Sequence, residues 1–117
     1  MDILSLWSDS GLQDELVQWV GDFHAITLQL KDSNGSPVDI TSGTLTGNYT
    51  NIATGSPYTF PSGSITITKV FASQGIITVL SPAAYPSSGS VRFTVKVTNA
   101  GGSITGYGSL ILDIRTP

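Results

Sequence analysis

From Phe23 onward, apolar and polar side chains alternate with a period of two. Ile26, Leu28 and Leu30 are separated by Thr27 and Gln29, the pattern of a half-buried strand. Asp32-Ser33-Asn34-Gly35 follows, and Asn-Gly after such a run is the strongest short hairpin signal. Pro37 restarts the chain on an edge or a bend that runs to Ile40. Leu45, Gly47 and Tyr49 predict another strand. Residues 51–63, with Gly55, Pro57, Pro61 and Gly63, read as a loop carrying Tyr58 and Phe60. Ile65 and Ile67 predict one strand and Ile76–Leu80 the next, across a turn at Ser73-Gln74-Gly75. Residues 82–86, bounded by prolines, predict one helical turn or a bend. Val91, Phe93, Val95 and Val97 give the cleanest alternation in the chain. Asn99-Ala100-Gly101-Gly102 turns it into a last strand through Ile104, Tyr107, Leu110, Leu112 and Ile114, with Gly106 and Gly108 expected at a bulge. About seven short strands punctuated by turn residues predict an all-β, antiparallel sandwich of immunoglobulin (Ig) type, with a small closed barrel as the alternative. Its expected core is Ile26, Leu28, Leu30, Phe93, Val95, Val97, Leu110 and Leu112.

The first 20 residues break this pattern. Ser10 and Gln13 have the spacing of a capping box, and Asp14 and Glu15 suit the first turn of a helix. A short helical turn over 11–15 is predicted, then an extended segment to Gly21. The division expected is an N-terminal arm, 1–20, ahead of a sandwich domain, 21–117. The arm is densely apolar, and such a segment left in water is costly and adhesive. Ile3, Leu4, Leu6, Trp7, Leu12 and Leu16 are therefore candidates for a partner interface, the alternative being that they pad an open edge. Deleting residues 1–10 is expected to leave a folded domain that no longer assembles or no longer binds its larger partner. For Trp19, core packing is favoured by its apolar neighbours.

Composition sharpens the β reading. Thirty of the 117 residues are Ser or Thr, and only 11% are charged, against about 25% in an average soluble protein. The net charge of −3 and five scattered cations leave no basic stripe for phosphates, which argues against nucleic-acid binding. Without cysteine, the fold rests on its core, on oligomerisation or on docking. No apolar run approaches the ~20 residues of a membrane-spanning helix, and Met1-Asp2-Ile3-Leu4 lacks the basic start of a signal peptide. Synthesis in a cytoplasm without classical export is the expectation.

Candidate chemistry is sparse. His24 is the only histidine, and with no recognisable nucleophile elbow beside it catalysis has no positive support. Asp32, Asn34 and Asp39 are oxygen ligands in type, yet they lack the spacing of an EF-hand; a hairpin with Asx turns explains the same residues. Gly106-x-Gly108 has no following helix to receive a phosphate. Asn34-Gly35-Ser36 and Asn48-Tyr49-Thr50 match glycosylation sequons by chance in a Ser/Thr-rich chain. No catalytic residue, cofactor or metal site is expected. Tyr58, Phe60 and Tyr85, on loops, are candidates for stacking on a glycan.

Residues 21–41, from Gly21-Asp22 through the alternating strand to Lys31-Asp32-Ser33-Asn34-Gly35-Ser36-Pro37 and Ile40-Thr41, resemble an opening found in tailed-phage structural proteins. Gly75-Ile76-Ile77-Thr78-Val79, the bend at 82–86, Ser90–Thr98 as an alternating strand, and Ser109-Leu110-Ile111-Leu112 follow in the same order. Over most of 19–114 the chain is similar to the N-terminal Ig-like domain of phage baseplate upper proteins and related Ig-like tail modules. The resemblance implies a non-enzymatic virion structural protein, of tail, baseplate or capsid surface, made in the host cytoplasm and acting by assembly with other virion proteins. It implies a homo-oligomer, with a trimer favoured. The chain ends at Pro117 with no receptor-binding continuation, which suggests a small standalone virion protein. The alternative function is a carbohydrate-binding module that attaches to a host-surface glycan.

Overall fold

The computed structural model describes residues 2–8 and 15–117, and the side chains of these except 2–5, 7, 8 and 105. Eight strands are seen: β1 Asp2–Ser8, β2 Glu15–Trp19, β3 Ile26–Lys31, β4 Thr44–Asn51, β5 Thr66–Phe71, β6 Ile76–Leu80, β7 Gly89–Thr98 and β8 Ile104–Arg115. A 3₁₀ turn, Ala72–Gln74, joins β5 to β6. The order of paired strands is β4-β7-β8-β1-β3-β6-β5, with β2 also on β8. This path folds into two layers at β1. One layer is β4, β7, β8 and β2; the other is β1, β3, β6 and β5. The assignment of an Ig-like antiparallel sandwich therefore holds, with eight strands instead of about seven.

The core lies between the layers because each strand turns alternate residues inward. Along β7, Val91, Phe93, Val95 and Val97 are buried while Arg92 and Lys96 are exposed. All eight expected core residues are buried, and Leu6, Ile40, Tyr49, Ile77, Val79, Val91 and Ile114 join them.

Two turns share one chemistry. In the first, the Asp32 Oδ1 accepts the backbone N–H of Asn34 (2.9 Å) and Ser36 (3.0 Å). In the second, the Asn99 Oδ1 accepts those of Gly101 (2.9 Å) and Ser103 (3.0 Å). In both, the fourth residue is a glycine with positive φ, Gly35 at 81° and Gly102 at 86°. The Asx side chain satisfies two N–H groups that the narrow turn leaves without strand partners, and glycine supplies the left-handed step.

The N-terminal segment is built into the sandwich, which corrects the expectation of a separate arm. β1 pairs in parallel with β8 (Asp2 opposite Gly106 to Ser5 opposite Ser109), then antiparallel with β3 (Ser5 opposite Lys31 to Ser8 opposite Leu28). β2 returns to β8 in parallel, from Glu15 opposite Ile111 to Trp19 opposite Arg115. The helical turn expected at 11–15 falls outside the described residues except for Glu15, which is in a strand. The bulge or bend expected at Gly106 and Gly108 is met at one of them: the register shifts between Val97 and Thr98, opposite Gly106 and Ile104, while Gly108 pairs regularly with Val95.

Candidate functional site

Tyr58, Phe60 and Tyr85 come together, but inside the protein. The Phe60 ring lies 5.1 Å from that of Tyr49 and 5.2 Å from Tyr58, both edge-on, and 6.1 Å from Tyr85, while Tyr49 packs at a tilt against Phe93 at 5.1 Å. Tyr58 and Tyr85 are buried and Phe60 is half-buried. Edge-on contacts of this kind add stability beyond the area they bury. The Tyr58 hydroxyl donates to the Ser87 carbonyl (2.7 Å) and accepts the Ser87 N–H (3.2 Å), so the 51–63 loop is tied to the turn ahead of β7. Burial raises the Tyr49 hydroxyl well above the usual phenol range and pushes Tyr85 up to about 12; a neighbouring phenol adds to each shift. Of the three residues expected to meet a sugar, Tyr58 and Tyr85 thus belong to the core and Phe60 packs against it, and no open aromatic face remains on Tyr58 or Tyr85. A Pro/Gly-rich stretch suggests exposure, but its aromatics pack with Tyr49 and Tyr85 against the core.

The interface candidates at the N-terminus separate. Leu6 is fully buried in the core, and so is withdrawn from any partner; Leu16 is half-buried and packs against the same core. Ile3, Leu4 and Trp7 lie in β1, with Ile3 in register with Tyr107, Leu4 with Gly108 and Trp7 with Gln29. Leu12 lies outside the described residues. Trp19 is not a core residue but is 41% exposed. The parallel ladder explains the reversal. Leu16 and Gln18 fall in register with the buried Leu112 and Ile114, so Val17 and Trp19 take the outer phase. Gln18 is consequently buried; its Nε2 donates to the Val17 carbonyl (2.9 Å), and its Oε1 has no partner among the described residues.

His24 is exposed in the segment between β2 and β3. The Asp32 carboxylate is engaged by its own turn, and the Asp39 Oδ1 accepts from the Thr41 N–H (2.9 Å) and hydroxyl (2.6 Å). Those two bonds hold the Asp39 carboxyl below the usual range. Among the described residues, no group of three or more His, Asp or Glu side chains converges.

Two surface features were not foreseen. Phe71 is 61% exposed, Phe23 54% and Val70 46%, large apolar groups on a surface otherwise dominated by Ser and Thr. The signal for Val70 and Phe71 was present: β5 continues past Ile67 as Thr-Lys-Val-Phe, and a bulge between Lys69 and Phe71 turns both residues outward. The second feature is an open groove of about 480 Å³ between the edges of β4 and β5, lined by Leu45, Thr46, Gly47, Ile65, Thr66 and Ile67. Lys69 closes one end, its Nζ donating to the carbonyls of Thr41 (3.4 Å) and Gly43.

No family model and no curated protein matches the chain. Solved structures do. Domains 4 and 5 of the S-layer protein SbsC superpose with a TM-score of 0.51 at 15% identity, over 97% of this chain and 53% of that one. The Lin-41 filamin domain gives 0.45 at 19% identity, over 85% and 82%. The titin domains z1z2, solved in complex with telethonin, give 0.48 at 15%, over 100% and 51%. The chain spans about half the length of the SbsC and titin structures. At 15% identity the likeness to the SbsC domains is one of fold alone.

Proposed function

We propose that the chain is a non-enzymatic structural module of a tailed-phage virion and works by protein–protein assembly. The observation that carries the assembly reading is the outward placement of Phe71, Phe23, Val70 and Trp19 on a surface poor in charge. Bulky apolar groups set among Ser and Thr gain by burial against another protein, at about 25 cal/mol for each Å² covered. The virion assignment rests on the order of turn and strand motifs from Gly21 to Leu112. The glycan reading loses its residues, because Tyr58 and Tyr85 are committed to the core.

Mass spectrometry of particles purified from the host tests the virion assignment. Peptides of this chain at a copy number comparable to other structural proteins are expected; their absence from intact particles refutes it. Phe71→Ser and Trp19→Ser, at exposed positions, test the assembly surface: folded variants that decorate particles as the wild type does would remove these side chains from it. Saturable binding on a glycan array, with no particle association, would favour the carbohydrate-binding class instead.

A further inference from the structure

A sandwich has free edges, and each must be blocked or used. Three edges here carry a device or a partner. β5 ends in a bulge and bears Lys69. β2 is five residues long, begins with Glu15, and lies alongside the Arg115–Asp113 ion pair (2.8 Å). β1 already pairs with both β3 and β8. β4 is different. Its sequence, Thr-Leu-Thr-Gly-Asn-Tyr-Thr-Asn, has no charge, no proline and no bulge, and among the described residues its only strand partner is β7. One end is covered by the chain itself, since Asn51 N–H donates to Ser56 (2.8 Å) and Tyr58 N–H to Tyr49 (3.0 Å). Residues 44–48 remain open along the groove.

We propose that residues 44–48 pair with the same residues of a second copy, antiparallel about a two-fold axis at Thr46. This register is self-complementary. Thr46 meets Thr46 of the second copy, and Thr44 meets Asn48, hydroxyl and amide groups able to bond across strands. Leu45 stands opposite Gly47, so each leucine faces a residue with no side chain of its own. No charge faces its own copy, the usual penalty of self-pairing. The segment at 56–58 stops the mate from sliding beyond Asn48, and Lys69, bonded to the Thr41 and Gly43 carbonyls, ends the open stretch ahead of Thr44. An isologous pair is also the commonest closed symmetry. The trimer implied by the resemblance is not what this edge would build.

The proposal rests on the assembly reading and fails separately from it. Sedimentation of the full chain is expected to give twice the 12.2 kDa mass at tens of micromolar. Thr46 is exposed, so Thr46→Lys is tolerated by the monomer but sets like charges face to face; at least a ~10-fold rise in Kd is expected. Thr46→Glu does the same, and mixing the two variants restores the dimer mass. Thr68→Lys, on the β5 edge, leaves the dimer unchanged. A wild-type monomer or trimer, or a Thr46→Lys dimer of wild-type affinity, overturns the proposal. A monomer that still decorates particles overturns it while leaving assembly intact.

Discussion

Replacing Gly75 by alanine isolates one packing claim from the conformational cost that accompanies it. Gly75 closes the turn between β5 and β6 with φ at 70°, in the left-handed region. It is buried, and its carbonyl accepts the Leu30 N–H (2.9 Å). A Cβ there would sit 2.7 Å from both the Leu30 and the Val38 carbonyl oxygens. Neither oxygen can swing away as a side chain would, and that of Leu30 already accepts the Val38 N–H (3.0 Å). Gly35 is the control: its φ is 81°, and a Cβ would meet nothing within 4 Å. Both substitutions carry the left-handed cost of about 1–2 kcal/mol and the same gain from a stiffer unfolded chain, roughly 0.4–1 kcal/mol. Their difference is therefore the crowding, about 1–3 kcal/mol or more for a forced contact in a packed site. Gly35→Ala is expected to cost about 1 kcal/mol and Gly75→Ala about 3 kcal/mol. In urea, with a slope of about 1–3 kcal/mol per molar for a small domain, the two midpoints should differ by about 1 M at unchanged slope. Equal midpoints would refute the placement of this turn beneath Leu30 and Val38.

Removing residues 1–10 should unfold the domain, contrary to what the sequence alone suggests, because β1 joins the two layers and carries Leu6; Leu6→Ala alone should cost about 2–5 kcal/mol by urea denaturation, and a truncated chain with a native spectrum would contradict this. Tyr58→Phe leaves the Ser87 carbonyl without its donor, for a loss of about 1–2 kcal/mol; unchanged stability would mean that water replaces the bond. Tyr49 and Tyr85 ionise less readily folded than unfolded, so the stability they contribute is complete below pH ~10 and declines by roughly 1.4 kcal/mol per pH unit per group as pH rises toward 12. Urea midpoints between pH 8 and 11.5 should show that decline, and the Tyr49→Phe/Tyr85→Phe double variant should flatten it.

The antiparallel part of the fold was legible because its rules are local. Period-two alternation located β3 and β7, and an Asx residue with glycine three places on located both tight turns. The N-terminal strands were not legible, since their partners lie at the far end of the chain. In Leu16-Val17-Gln18-Trp19 the more apolar phase is Val17 and Trp19, and alternation alone points it inward. Register against Leu112 and Ile114 decides otherwise and buries a glutamine, at a cost of about 1–3 kcal/mol for an unpaired amide oxygen. Tyr58 and Tyr85 were misread for a related reason. Composition marks a loop as mobile and wet, but here a phenol bonded to Ser87 and a ring packed on Phe60 pull those loops over the core.

The parallel ladders of β1 and β2 on β8 have a consequence for how the chain is made. Among the described residues, β2 has no strand partner other than β8, and the first half of β1 has no other either. β8 leaves the ribosome after β1 to β7, so β1 and β2 wait through the synthesis of the strands between for this mate. Hairpins such as β5–β6 and β7–β8 close early, because their loops are short and the entropy lost is small. Until β8 emerges, the nascent chain carries β2 and the first half of β1 without their β8 partner, in the interval when aggregation competes with folding. Truncation from either end then acts alike, since a product lacking β8 and a product lacking β1 expose the same seam.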